Sequence, residues 1–374
     1  NKMKIEIFSL ERTQSLWENT VKYNLTDSGV HPFTLRELLT EEEIESLLSL
    51  RLGYGQTNGS IELREAITQL YPGSNIDNIL VTNGTAEANF VMSWLLLEPN
   101  DEVLYMQPNY NQIGGLAQCF GAKVKNFYLY EKLGWQPSLA EIEEKISPRT
   151  KLIALCNPNN PTGSILNPSI AENIINLASR VGAYLYVDEI YRGSELEGRE
   201  TETFWGKYDK VIIGAGLSKA YALPGLRLGW LIGPSDFISK AWAYHDYTSI
   251  TAGIISHYLG ALVLQPNRRK TILERNRQIL KNNLEILTSW MSNFSHLFSL
   301  VPPKAGGMAF LKYHFSMNST KLSNRLREEK SVFVVPGDCF GLDGYIRIGI
   351  GANPLLLKEG LAIFKDWLQK NLNS

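Results

Sequence analysis

The chain has 374 residues, with 37 basic against 38 acidic side chains, 44% hydrophobic and 20% charged. That is the composition of an ordinary globular protein, long enough for about two domains, and its near-neutral charge argues against nucleic-acid binding through bulk positive charge. No run approaches the roughly 18 apolar residues needed to cross a bilayer, and Asn1 to Glu6 lacks the apolar centre of a secretory signal, so a cytoplasmic protein with no membrane partner is expected.

Met3 reads as a natural start, with Asn1 and Lys2 as added residues ahead of it. The cysteines Cys119, Cys156 and Cys339 show no CxxC spacing, and the five histidines form no HExxH or HxH pair. Neither a disulfide framework nor a catalytic metal is expected.

From about Ile79 to Gly233, short β-rich runs alternate with helical stretches. The strand-like runs are Ile79–Thr82, Glu102–Met106, Lys123–Tyr128, Leu152–Cys156, Tyr184–Val187, Val211–Ile213 and Leu228–Ile232, and the apolar spacing between them predicts helices over Thr85–Leu97 and Pro168–Ser179. This alternation predicts an α/β fold, a mostly parallel sheet of seven-stranded type covered by helices. Around Gln265 the pattern changes to one long charged helix, Arg268 to Ser292, with apolar pairs recurring every two turns. Shorter strands follow (Met308–Lys312, Val332–Val335, Tyr345–Ile350), then a closing helix over Leu355–Leu372. The expected division is a large domain over 37–264 and a smaller α+β domain made of 1–36 and 265–374.

Ligands of such sheets bind beyond the carboxyl ends of the strands, so the residues following each run carry the functional reading. After Ile79–Thr82 comes Asn83-Gly84-Thr85-Ala86 opening a helix, an arrangement that offers free N–H groups to a phosphate, or else a helix start capped by Thr85. The stiff turn Asn157-Pro158-Asn159-Asn160-Pro161-Thr162-Gly163 aims amide side chains out of the sheet edge. Asp188 ends an apolar strand, where a carboxylate needs a cation or a hydrogen-bond donor, in the run Asp188-Glu189-Ile190-Tyr191. Lys219 sits in a small-residue turn after Ser218, eight residues before Arg227, which suits a low-pKa amine beside an anion-binding cation.

In this order the segments resemble fold-type I enzymes dependent on pyridoxal 5'-phosphate (PLP), the class I/II aminotransferase superfamily, over nearly the whole chain. The resemblance implies that Lys219 holds PLP covalently and later moves the substrate's Cα proton, while Asp188 pairs with the ring nitrogen. It further implies Asn160 and Tyr191 on the ring phenolic oxygen, Tyr110 stacked on the ring, and the phosphate on Gly84, Thr85 and Ala86 with Ser218 and Arg227. Tyr54, in Gly53-Tyr54-Gly55, resembles the tyrosine that reaches the partner's phosphate, implying a homodimer with shared sites. Arg347 matches the arginine that takes the substrate α-carboxylate. One departure is Gly216, where the family usually carries a phosphate-binding hydroxyl; Ser218 or water is expected to substitute.

The cofactor segments do not choose the reaction. In acidic-substrate aminotransferases an arginine precedes a Ser/Asn-rich turn, whereas this chain has Ala243-Tyr244-His245-Asp246-Tyr247 there. The stretch from Leu10-Glu11 to Ser28-Gly29-Val30-His31, together with Tyr244 to Tyr247 and Ser218 to Arg227, resembles the capreomycidine-synthase-like cyclases of guanidino amino acids, and nearly as well the generic transaminases of that subgroup. That resemblance implies conversion of a hydroxyarginine to an enduracididine- or capreomycidine-type ring, with Asp246 and Glu11 on the guanidinium, Gly29 and Val30 at the substrate, and His31 assisting proton transfer. Alternatives are an aminotransferase of a basic or neutral amino acid, a PLP-dependent arginine oxidase, and a non-catalytic regulator, which this chain's lack of a basic DNA-binding helix disfavours.

Overall fold

The computed structural model describes residues 4–372; Met3, Lys2 and Asn1 lie outside them. Among the described residues no helix is long and apolar enough to cross a membrane.

The large sheet has eight strands, in the order Ile79–Thr82, Gly229–Ile232, Val211–Gly216, Tyr184–Asp188, Thr150–Cys156, Glu102–Gln107, Lys123–Tyr130 and Gln136–Pro137. Seven are the expected runs, and the eighth is a two-residue edge strand too short to show in a hydrophobic pattern. The central neighbours run parallel, while Gly229–Ile232 is antiparallel to both of its neighbours.

Alternation along the central strands explains why they read as continuous apolar runs. Ile153, Val187 and Ile213 pack into one layer, and Leu152, Tyr186 and Ile212 pack on the opposite face. A strand buried on both sides has no polar face to display. Register brings Cys156, Asp188 and Gly214 level with one another at the carboxyl edge.

A second sheet of four strands is ordered Phe298–Ser299, Met308–Tyr313, Tyr345–Gly349 and Val335–Pro336. The expected strand Val332–Val335 is divided: Val332–Phe333 pairs in parallel with Tyr23–Asn24, and only Val335–Pro336 joins this sheet. The 27-residue helix Pro266–Ser292 spans both cores, with Ile272 and Leu273 in the first and Leu280 and Leu287 in the second.

Candidate active site

The cleft lies where the carboxyl edge of the large sheet meets the second sheet and the N-terminal segment. Its lining includes Thr85, Ala86, Tyr110, Asn160, Asp188, Tyr191, Ser218, Lys219, Arg227, Arg347 and Glu11. Most of the residues read from the sequence therefore converge, although they are drawn from positions more than 300 apart.

At the sheet edge, Asp188 accepts a 3.0 Å hydrogen bond from the Ile190 N–H. Burial raises its pKa to about 6, against the opposing pull of that N–H, the Asn89 amide and Lys219. Tyr191 is also buried, which raises its pKa and keeps its hydroxyl protonated, and that hydroxyl lies 2.8 Å from Ser28 Oγ. Burial and the neighbouring Asp188 raise Cys156, so its thiol stays protonated and is no nucleophile.

In the proline turn, three amides divide their labour. Asn157 Oδ1 accepts from Leu166 N and Asn159 Oδ1 from Thr162, so both hold the turn itself. Asn160 faces the cleft and accepts a 2.8 Å bond from Arg347 Nη1. Arg347 is buried, donates also to Thr26 O at 2.6 Å, and leaves Nε without a partner. A buried guanidinium with an unpaired N–H is an open anchor for an anion.

The glycine turn approaches Arg227 so closely that a Cβ on Gly84, at φ +76°, would strike the guanidinium. The helix begins at Gly84 with Asn83 at its cap position, so Thr85 lies inside the first turn and is not the cap. Thr85 Oγ1 is instead buried without a partner. The space explains Gly216: a Cβ there would come within 2.8 Å of both Thr85 Oγ1 and Leu228 O. Serine is sterically excluded at 216, and Thr85 presents a hydroxyl beside it. Ser218 Oγ stands 3.5 Å from Arg227 Nη1.

The N-terminal segment closes the cleft with carboxylates. Glu11, on helix Ser9–Trp17, accepts a short hydrogen bond from the Tyr110 hydroxyl, whose pKa burial and Glu11 together raise. Gln14, one turn on, donates to Thr26 O at 3.1 Å. Asp27 Oδ1 lies 3.5 Å from Lys219 Nζ and accepts from Gly29 N at 2.8 Å. The Asp27 side chain is exposed; nearby protein raises its carboxyl, but the Lys219 ammonium and the Gly29 N–H outweigh that and hold it below its ordinary value. Glu18 is raised by burial and then by the fields of Glu11 and Asp27.

Asp27, Glu18, Gln14 and Ser28 were missed from sequence. Asp27 and Ser28 lie within or beside the quoted stretch, but no periodicity there indicates which side chain faces inward. Glu11, Gln14 and Glu18 do carry a signal, being spaced along one helical face.

Asp246, Val30 and His31, expected at the substrate, are placed away from the cleft lining. Asp246 caps the C-terminus of helix Ser235–His245, is exposed, and does not line the cleft. Its position follows from the helix phase, which turns His245 inward and Asp246 out. Val30 is buried in the core of the second sheet, whereas Gly29 presents its backbone beside Lys219 at the site. His31 turns toward Arg275, with Nδ1 3.3 Å from Nη2, and burial followed by that guanidinium lowers its pKa. Tyr54 is 83% exposed and touches nothing in the cleft of its own chain.

A family model described as aminotransferase class I and II matches residues 23–362. The chain is 28% identical to capreomycidine synthase of Streptomyces vinaceus, over 93% of this chain and 90% of that protein. It is 26% identical to an aspartate aminotransferase of Thermotoga maritima, over 92% and 91%. The crystal structure of a PLP-dependent aminotransferase from Streptococcus suis superposes with a TM-score of 0.93 at 33% identity, covering 98% of this chain and 99% of the other.

Proposed function

The chain belongs to the class I and II aminotransferase family and is a PLP-dependent enzyme, and from that premise we propose that it acts on a basic, guanidino-bearing amino acid and cyclises its hydroxylated form. The cleft fits the cofactor on its own chemistry. An unpartnered buried hydroxyl on Thr85 and the Arg227 guanidinium flank the Gly84 turn, and a buried carboxylate, Asp188, waits at the sheet edge. When bound, PLP withdraws electrons from the substrate Cα and so makes its proton removable.

The observation that carries the substrate class is Glu11 in the cleft lining, with Asp27 3.5 Å from Lys219 beside it and Arg347 as the buried cation. Arg347 receives the α-carboxylate on its free N–H edge. The carboxylates then accept from the planar five-donor guanidinium, and an acidic side chain would meet repulsion. Lys219 Nζ removes the Cα proton and returns it. In a γ-hydroxyarginine a Cβ proton is then removed as well, and its electron pair expels the Cγ hydroxyl, which takes up a proton and leaves as water. A guanidine nitrogen bonds to Cγ and gives up its proton, Cβ and Cα are reprotonated, and a five-membered ring closes with the amino group retained. A β-hydroxyl is instead expelled after Cα deprotonation alone and leads to the six-membered ring. The similarity to capreomycidine synthase supports this reading.

In this reading 37–264 forms the cofactor domain, 1–36 and 265–374 form the domain closing over it, and Tyr54 serves the partner's site in a homodimer. A second reading, transamination of a basic or neutral amino acid, is favoured by the aminotransferases among its relatives. Incubation with γ- or β-hydroxyarginine and no 2-oxoacid separates them. Cyclisation gives many turnovers, transamination stops at one half-turnover, and oxidation consumes oxygen.

A further inference from the structure

The motif Tyr244-His245-Asp246 leaves a residue that neither reading uses. His245 is fully buried, and its Nε2 makes a short hydrogen bond with Glu87 Oε1. Glu87 lies in the first turn of helix Gly84–Leu96, the turn assigned to the phosphate. Its other oxygen accepts from Ser249 Oγ at 2.5 Å, and Ser249 Oγ also stands 3.2 Å from His245 Nε2.

The network continues to the residue that precedes the glycine. Asn83 N donates to Glu87 Oε1 at 2.9 Å, while Asn83 Nδ2 donates to Ser249 Oγ at 2.7 Å and Thr251 O at 3.2 Å. Glu87 is strongly anionic, since its hydrogen bonds from His245, Ser249 and Asn83 overcome burial and hold its pKa at about 2. An anion in the first turn of a phosphate-binding helix is a liability unless its charge is tied elsewhere. Its side-chain partners here are His245 and Ser249, and its remaining bond is to the Asn83 N–H ahead of the turn.

We propose that His245 is a positioning residue for the cofactor phosphate: by holding Glu87, it fixes Asn83 and with it the Gly84–Ala86 turn, and draws the Glu87 charge off the phosphate. The inference rests on the phosphate being seated on that turn, so the experiment tests both. Cofactor dissociation constants are measured by visible absorbance for PLP and for pyridoxal, which lacks the phosphate, in the native chain and in H245L, H245Q, S249A and R227Q.

H245L is expected to weaken PLP about tenfold while changing pyridoxal less than about twofold, the loss of one charge-assisted hydrogen bond. H245Q, which keeps an N–H donor at the Nε2 position, is expected to recover most of that loss. S249A removes the second donor from an exposed residue and shifts the PLP/pyridoxal ratio about threefold in the same direction, which keeps the test open should H245L fail to fold. Equal weakening of both ligands in H245L, or an unchanged ratio in H245L or S249A, overturns the proposal. If R227Q also leaves the ratio unchanged, the phosphate is seated elsewhere and the underlying assignment fails instead.

Discussion

Glu11 and Asp27 enter the same cleft from one short N-terminal segment, and their chemistry differs. Asp27 is within ion-pair distance of Lys219, so its replacement perturbs the reactive amine as well as any substrate cation. Glu11 is held by the Tyr110 hydroxyl and is the cleaner probe. E11Q is expected to raise KM for arginine or hydroxyarginine about tenfold, and KM for citrulline, equal in length but uncharged, less than about threefold. Equal changes for both would make Glu11 a structural partner of Tyr110. Asp188 gives the pH dependence. Burial, opposed by the Ile190 N–H, the Asn89 amide and Lys219, puts its carboxyl at about 6, and on the proposed reading pairing with a protonated ring nitrogen would lower that value. The carboxylate's contribution to cofactor affinity is therefore complete above about pH 6 and lost as pH falls through it, roughly tenfold per unit. A titration of PLP binding from pH 5 to 8 should show this slope, and D188N should lack it.

At the scale of elements, the turn from Asn157 to Gly163 joins the two sheets as well as aiming Asn160. Gly163 O accepts from Lys304 N at 2.9 Å and from Ala305 N at 3.0 Å, just before strand Met308–Tyr313. Gly163 has φ +67°, and a Cβ there would meet Pro303 Cβ at 2.5 Å. G163A is expected to cost about 2 kcal/mol of stability in urea unfolding, from left-handed strain plus the clash. Much of the architecture was legible because doubly buried strands and a two-turn apolar repeat have distinct periods. The split at Val334 was not legible, since pairing with Tyr23–Asn24 comes from a partner more than 300 residues away. The cofactor side was legible for a related reason: glycine, proline and a strand-end carboxylate are unusual residues in their places. The substrate side was not. A glutamate on a short helix, as Glu11 is, looks like solvated surface until the tertiary fold turns it into the cleft, and Asp246, the acid singled out, sits one residue beyond the buried phase of its helix.

For the whole molecule, Tyr54 tests whether one chain makes a complete site. Leu52, Tyr54, Tyr247 and Ile250 are all exposed, and the Tyr54 ring, 83% open to solvent, is free to reach a second chain. If Tyr54 serves the partner's phosphate, Y54A and K219A homodimers are each impaired, but mixing them after partial unfolding and refolding creates hybrids with one intact site. Activity recovery toward about one quarter of the native level, with a dimer in sedimentation, is expected from random pairing. No recovery would place Tyr54 outside the site.

On the proposed reading, the cofactor residues and those facing the substrate side chain are also segregated along the chain. The positions assigned to PLP in one chain run from Gly84 to Arg227, whereas Glu11, Gln14, Glu18 and Asp27 fall within a single stretch near the N-terminus. On the proposed reading, preference for the substrate side chain would be carried by a short cassette, with Arg347 outside it holding the α-carboxylate, and that cassette could vary without disturbing the cofactor residues. Exchange of residues 9–28 between relatives would transplant that preference as one unit, and lineages could change diet while keeping the same chemistry.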